Sequence, residues 1–120
     1  MKRNLLLLFA VLLTALTASA QIYFSFEYNG INYIQIGDNQ VEVVGSGSGQ
    51  PYQGDIVIPN MVFNDDHTYY VTKIGSSAFA NCTNLTSVRF SSISTIGSYA
   101  FMGCTSLTSF TIPDDVTTLD

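Results

Sequence analysis

Tryptophan is absent and positive charge nearly so: the 120 residues include four Lys or Arg, against nine Asp or Glu and a single His. So few cations argue against a nucleic-acid-binding surface. Charged residues of either sign make up only 11% of the chain, well under the ~25% of an average soluble protein. Beyond the first twenty positions no apolar run reaches the ~20 residues that a membrane span requires. What is abundant is core material. Apolar residues make up 47%, with eight Phe and seven Tyr, so the composition is that of a folding chain rather than a disordered one. The length fits one small domain at most.

The first twenty residues stand apart. Lys2 and Arg3 open the chain, Leu5 to Leu16 is almost wholly apolar, and Ala18-Ser19-Ala20 is a small-x-small site followed by Gln21. This three-part layout predicts a secretory signal peptide over residues 1–20, cleaved between Ala20 and Gln21. A membrane anchor fits less well, because the run is short and has no basic flank on its far side. No Cys lies near the cleavage point to accept a lipid. Removing Lys2 and Arg3 leaves two cations against nine acids, a net charge of −7 over residues 21–120. The expected product is exported, secreted or held at the cell surface, and acidic enough to avoid anionic membranes and nucleic acid.

A repeat follows. Ile74-Gly-Ser-Ser-Ala-Phe-Ala-Asn-Cys-Thr-Asn-Leu-Thr-Ser-Val-Arg-Phe90 aligns without a gap to Ile96-Gly-Ser-Tyr-Ala-Phe-Met-Gly-Cys-Thr-Ser-Leu-Thr-Ser-Phe-Thr-Ile112, with ten of seventeen positions identical at an offset of 22. Leu85, Val88 and Phe90 carry the L-x-x-L-x-L spacing of a leucine-rich repeat. The alternation across Val88, Arg89 and Phe90 predicts a short strand with one buried face. Gly75 and Gly97 are expected to let the chain turn, and Ala78-Phe79 and Ala100-Phe101 to form a single helical or 3₁₀ turn. Each coil is too thin to bury its own apolar side, so stacked coils must share a core. On the strand face, Ser87, Arg89, Ser109 and Thr111 are expected to point outward, making this the candidate protein-binding surface.

The repeat resembles the BspA-like leucine-rich repeat proteins, exported and surface proteins of Bacteroidetes-type bacteria. Ile74-Gly75, Ala78-Phe79, Cys82 and Leu85 carry the resemblance, with Ile96-Gly97, Ala100-Phe101, Cys104 and Leu107 and the strand end Ile112-Pro113 with Val116. Gly54 to Pro59 and Tyr69 to Gly75 resemble the segment leading into the first full repeat. The resemblance implies adhesion or protein interaction, with a protein or glycoprotein ligand on host or bacterial surfaces. It brings no catalytic residue, metal or cofactor. Two repeats are complete. A third begins at Ile112 and runs to Asp120, which stands where glycine is expected, so association through an open C-terminal end is a further expectation.

Upstream, Ile22 to Tyr28 alternates in polarity, Asn29-Gly30 follows, and Ile31 to Ile36 alternates again, the strongest short signal for a β-hairpin. Gly37-Asp38-Asn39 predicts a second turn into Gln40 to Val44, completing a meander over the first coil. Gly45 to Gly49 is a flexible Gly/Ser connector. Ile56-Val-Ile58-Pro59 matches Phe110-Thr-Ile112-Pro113 and suggests a degenerate repeat strand, while Met61 to Val71 suggests an inserted hairpin turning at Asn64 to His67. The expected fold is mainly β: a short leucine-rich repeat solenoid of about 22–23-residue coils with an N-terminal β-hairpin or meander cap. Residues 21–72 form the cap and lead-in, and residues 73–120 the repeats.

Residues that suggest chemistry have plainer readings. Asp65-Asp66-His67 is a turn before it is a metal site, because neighbouring side chains on a tight turn seldom converge. Asp114-Asp115 reads as a solvated loop. One His without a nucleophile elbow makes no triad. The sequons at Asn81 and Asn84 arise from the repeat and matter only in a eukaryotic secretory pathway. Cys82 and Cys104 share one phase of neighbouring coils and point the same way, which favours two thiols over a disulfide. The leading expectation is an exported, non-enzymatic binding protein. A structural N-terminal cap of a longer repeat protein is the alternative, and an exported hydrolase a poor third.

Overall fold

The structure, a computed structural model, describes residues 24–108, 110, 112–114 and 116–120; the expected signal peptide lies outside them. Asn29 and Gly30 take left-handed backbones, φ 49° and 85°, and fold β1 (Ser25–Tyr28) onto β2 (Ile31–Gln35) as a two-residue hairpin. The next turn returns β3 (Gln40–Val44) antiparallel to β2. Ile31, Tyr33, Val41 and Val43 are buried, the period-two pattern of strands with one covered face. The meander expected at this end is present.

β3 is also the first rung of a parallel stack. It pairs with β6 (His67–Ile74), β6 with β8 (Thr95–Ile96), and β8 with β9 (Thr118–Leu119). Val43, Ile74, Ile96 and Leu119 are successive partners along this row. A second parallel row joins β4 (Gly54–Val57) to β7 (Leu85–Arg89), so the degenerate Ile-x-Ile-Pro segment is a repeat strand. Parallel stacking therefore starts at Gln40, upstream of the first clear motif. The coil between Val43 and Ile74 is lengthened by an antiparallel hairpin of β5 (Met61–Asn64) on the start of β6. Asp65, with φ 52°, opens its turn. The sheet curls until β1 meets the β5–β6 hairpin, bringing the Tyr28 ring to 6.0 Å from Phe63 of β5 and the Phe26 ring to 5.6 Å from Tyr69 of β6.

The uneven apolar spacing of the repeat has a structural cause. Val41 and Glu42 face Val71 and Lys73, and Gly54 and Asp55 face Leu85 and Ser87, so each ladder slips by one residue. Thr72 and Thr86 are the extra residues of β-bulges. A bulge stretches the inward spacing from two residues to three, which is how Val71 and Ile74, and Leu85 and Val88, are all buried.

The Ala-Phe segments form no helix. The bonds are of i→i−3 type, from the N–H of Ala78, Ala80 and Cys82 to the carbonyls of Gly75, Ser77 and Phe79, and repeat one coil later at Ala100, Met102 and Cys104. Left-handed residues interrupt each run: Ser77 (φ 59°) and Asn81 (φ 61°), then Tyr99 (φ 58°) and Gly103 (φ 76°). A positive φ every fourth residue breaks helical propagation and leaves a chain of β-turns. The N–H groups of Ser77, Phe79 and Asn81 instead donate to the carbonyls of Ser98, Ala100 and Met102 in the next coil. Gly75 and Gly97 also differ from expectation, for neither is among the residues with positive φ. Their reason is space: a Cβ on Gly97 would lie 2.6 Å from the Ser76 amide nitrogen, and one on Gly75 2.8 Å from the Val43 carbonyl oxygen.

Candidate functional site

The outer face of the β4–β7 row is built by the bulge at Thr86. Because the ladder slips there, Thr86 and Ser87 both reach the same neighbour. The Ser87 hydroxyl donates to Asp55 Oδ1 at 2.7 Å and the Thr86 hydroxyl to the same oxygen at 2.8 Å. These two donors, Ser87 first, hold the fully exposed Asp55 carboxyl below its ordinary range, and Arg89 adds a smaller push in the same direction. Arg89 is exposed beside its ladder partner Val57, which is itself 57% exposed. One rung on, the Ser91 hydroxyl donates to Asn60 Oδ1 at 2.8 Å. The result is a polar face on adjacent strands, with one acid held by two hydroxyls and one base and one branched apolar side chain exposed beside it.

Of the four residues expected on this face, Ser87 is half-buried against Asp55 and Arg89 is exposed, while Ser109 and Thr111 lie outside the described residues. Asp55 was not among the four. It belongs to a degenerate strand, and only the alignment of Asp55-Ile-Val-Ile58 with Ser87-Val-Arg-Phe90 would have placed it there. A shallow hollow of about 340 Å³ borders the same strand on its other side, with the Asn29-Gly30 turn as its far wall and Gln53, Asp55 and Val57 along its near wall.

Elsewhere, Asp65, Asp66 and His67 sit exposed on the β5–β6 turn, with the His67 ring stacked on Tyr69 at 6.2 Å. Among the described residues no three His, Cys, Asp or Glu gather in metal-binding geometry. Asp114 is exposed, and Asp115 lies outside the described residues. Cys82 is buried and Cys104 half-buried, and both are free thiols. Cys104 Sγ lies 3.0 Å from the Phe79 carbonyl oxygen, onto which the thiol donates. Burial pushes both thiols up, away from the reactive thiolate form. No helix among the described residues is long and apolar enough to cross a membrane.

Comparison with known proteins agrees with this architecture. The family model described as BspA type Leucine rich repeat region (6 copies) matches residues 58–120. A leucine-rich cell surface protein from Faecalibacterium prausnitzii A2-165 is 30% identical over 84% of this chain and 27% of its own, with a TM-score of 0.65. A leucine-rich repeat protein from Bacteroides ovatus is 32% identical over 78% of this chain and 24% of its own, with a TM-score of 0.69. A leucine-rich repeat protein of T. pallidum, 24% identical over 80% of this chain and 42% of its own (TM-score 0.62), shares the fold. The chain thus spans about a quarter of the first two structures. Among curated proteins none matches it. With two parallel rows of strands, coils repeating at 22 residues and a family match over residues 58–120, more than half of its length, the chain belongs to the BspA-type leucine-rich repeat family.

Proposed function

We propose that the chain is an exported protein-interaction module, held at the cell surface or secreted, that recognises a protein or glycoprotein through the β4–β7 face. One observation carries the reading: Asp55, Thr86 and Ser87 are locked into a hydrogen-bonded group on a strand surface beside Arg89 and Val57. Polar groups fixed before binding lose little entropy on association. The face is small against the ~800 Å² that a standard interface uses per partner, so firm attachment requires further repeats or several copies. The cell-surface description of the Faecalibacterium structure and the basic–apolar–small leader of residues 1–20 support export. Folds of this kind are generally non-enzymatic.

The test compares the full chain with an Arg89→Glu, Ser87→Lys variant for binding to a panel of purified extracellular glycoproteins. Loss of binding with an unchanged melting temperature supports the reading, and unchanged binding overturns it. N-terminal sequencing of the protein from culture supernatant and cell-surface fractions checks export, with Gln21 the expected first residue. A structural role stands beside this one: β1 and β2 extend the β3 row in antiparallel order and cover its outer edge, as an end cap of a longer stack does.

A further inference from the structure

The two rows of the solenoid end differently. The row through β3 continues into β2 and β1. The other row is only β4 and β7 among the described residues, so β4 keeps one free edge. The alternation of the strand says which groups lie on it. The N–H groups of Gly54 and Ile58 donate toward β7, to the carbonyls of Asn84 and Arg89. The backbone groups of Asp55 and Val57 therefore point the other way, into the hollow of about 340 Å³ walled by the Asn29-Gly30 turn.

We propose that β4 accepts an extended, cationic peptide segment of a partner protein as an added strand, paired to the backbone of Asp55 and Val57. An incoming strand would lie ~4.8 Å from β4, in the space between β4 and the turn. Its side chains would stand beside Asp55 and Val57 on the outer face. Cross-strand pairing favours a Lys or Arg next to Asp55 and a β-branched residue next to Val57. Asp55 is fully exposed, and its ionised form is held by Ser87 and Thr86. Arg89 lies on the β7 side of β4, away from the incoming strand. Charge also chooses between occupants. Two cations against nine acids over residues 21–120 give −7, so two copies meeting edge to edge would repel, whereas a basic segment is attracted. Pro51 and Pro59 bracket the strand and limit the pairing to a few residues, as edge prolines do. This inference rests on the chain being an interaction module and adds the edge, not the face, as the contact.

The experiment is amide hydrogen exchange on the full chain, with and without the capped peptide TKTVTKT, whose two lysines and central valine share one face when the peptide is extended. The Asp55 and Val57 amides should exchange freely in the protein alone and slow by about tenfold or more with saturating peptide. The Ile56 amide, already turned to β7, should not change. The proline-interrupted peptide TKPPPKT, of equal charge, lacks the central N–H groups in either strand direction and should give no protection. Val57→Pro removes an edge N–H but no β4–β7 bond and should abolish the effect; Asp55→Lys should weaken it while keeping the same amides fast in the free protein. Asp55 and Val57 amides slow without peptide overturn the proposal, because the edge is then already covered. Equal binding of both peptides overturns it as well, as does protection that rises with protein concentration alone, which would make a second copy the occupant. If edge protection fails while the Arg89→Glu, Ser87→Lys variant still loses glycoprotein binding, the face reading survives and only the strand addition falls.

Discussion

The rings of Phe79 and Phe101 lie face over face, centroids 5.3 Å apart and planes within 2° of parallel. They are the same position of successive coils, and they belong to a longer row: Tyr52 lies 5.0 Å from Phe79, and Phe110 4.7 Å from Phe101. Phe79 is wholly buried, whereas Phe101 is half-buried. Phe79→Ala should therefore destabilise the fold by ~3–5 kcal/mol, and Phe101→Ala by clearly less. Tyr99 is 68% exposed and left-handed, so Tyr99→Gly should be neutral or stabilising. Urea denaturation of the three variants checks the order, and equal losses at Tyr99 and Phe79 would contradict the assigned faces.

Close passage of the coils at glycine makes a second prediction. Gly97→Ala puts a methyl 2.6 Å from the Ser76 nitrogen, and a backbone atom cannot swing aside as a side chain can. The loss should reach or exceed the ~1–3 kcal/mol of ordinary overpacking. Gly37→Ala meets nothing nearer than the Gln40 Cβ at 3.7 Å and is free of positive φ, so it should gain a few tenths of a kcal/mol at most, by restricting the unfolded chain. Thermal melts of the pair separate the two mechanisms.

Two buried tyrosines should respond oppositely to loss of the hydroxyl. Tyr52 Oη donates to the Val44 carbonyl at 2.7 Å and accepts from the Asn32 N–H at 3.0 Å, fastening the loop after β3 to two strands. Tyr52→Phe should cost ~1–3 kcal/mol, because both backbone groups lose their partner. Tyr33 Oη is buried without a partner among the described residues, and burial drives its ionisation well upward. Tyr33→Phe should therefore be neutral or stabilising. Paired denaturation curves at one pH decide it.

The Asp55 carboxyl should titrate below an ordinary aspartate, with Ser87 the main cause and Thr86 the lesser. Its folded pKa is depressed, so the associated stability is present above the unfolded value of ~3.9 and is lost as pH falls through the folded value. Carboxyl-carbon NMR titration should show an upward shift in Ser87→Ala, and a smaller one in Thr86→Val. No shift in either variant would mean that the hydroxyls do not hold the carboxylate.

Much of this architecture is legible in the sequence, and what is not has identifiable causes. Asn29-Gly30 announces its hairpin because both residues tolerate positive φ, and Asp65-Asp66 does so for the second hairpin. The coil period is readable because Ile, Phe, Cys and Leu recur in phase. The turn type is not: Ser77 and Tyr99 occupy left-handed positions that no propensity assigns to Ser or Tyr. The role of Gly97 is equally hidden, because close approach depends on a neighbouring coil rather than on the local chain. On the candidate face, Ser87 and Arg89 could be placed from alternation. Asp55 could be placed only through the alignment of its degenerate strand on a later one, and its bonds to both Thr86 and Ser87 could not, since they depend on a pairing register across 32 residues, offset by a bulge.

The hairpin of β5 and β6 shows how length and alignment can be uncoupled. Val43 and Ile74 are ladder partners at an offset of 31 residues, whereas Ile74 and Ile96 are partners at an offset of 22. The extra segment leaves the stack sideways and returns to the same rung. Strand phase is set where the coils touch, and the contour between rungs is free to grow, since lengthening a loop adds little closure entropy. Such a site tolerates grafting: a foreign loop could replace the exposed Asp65-Asp66 tip while Tyr70 keeps its partner Gln40 and Val62 and Tyr69 stay in the core.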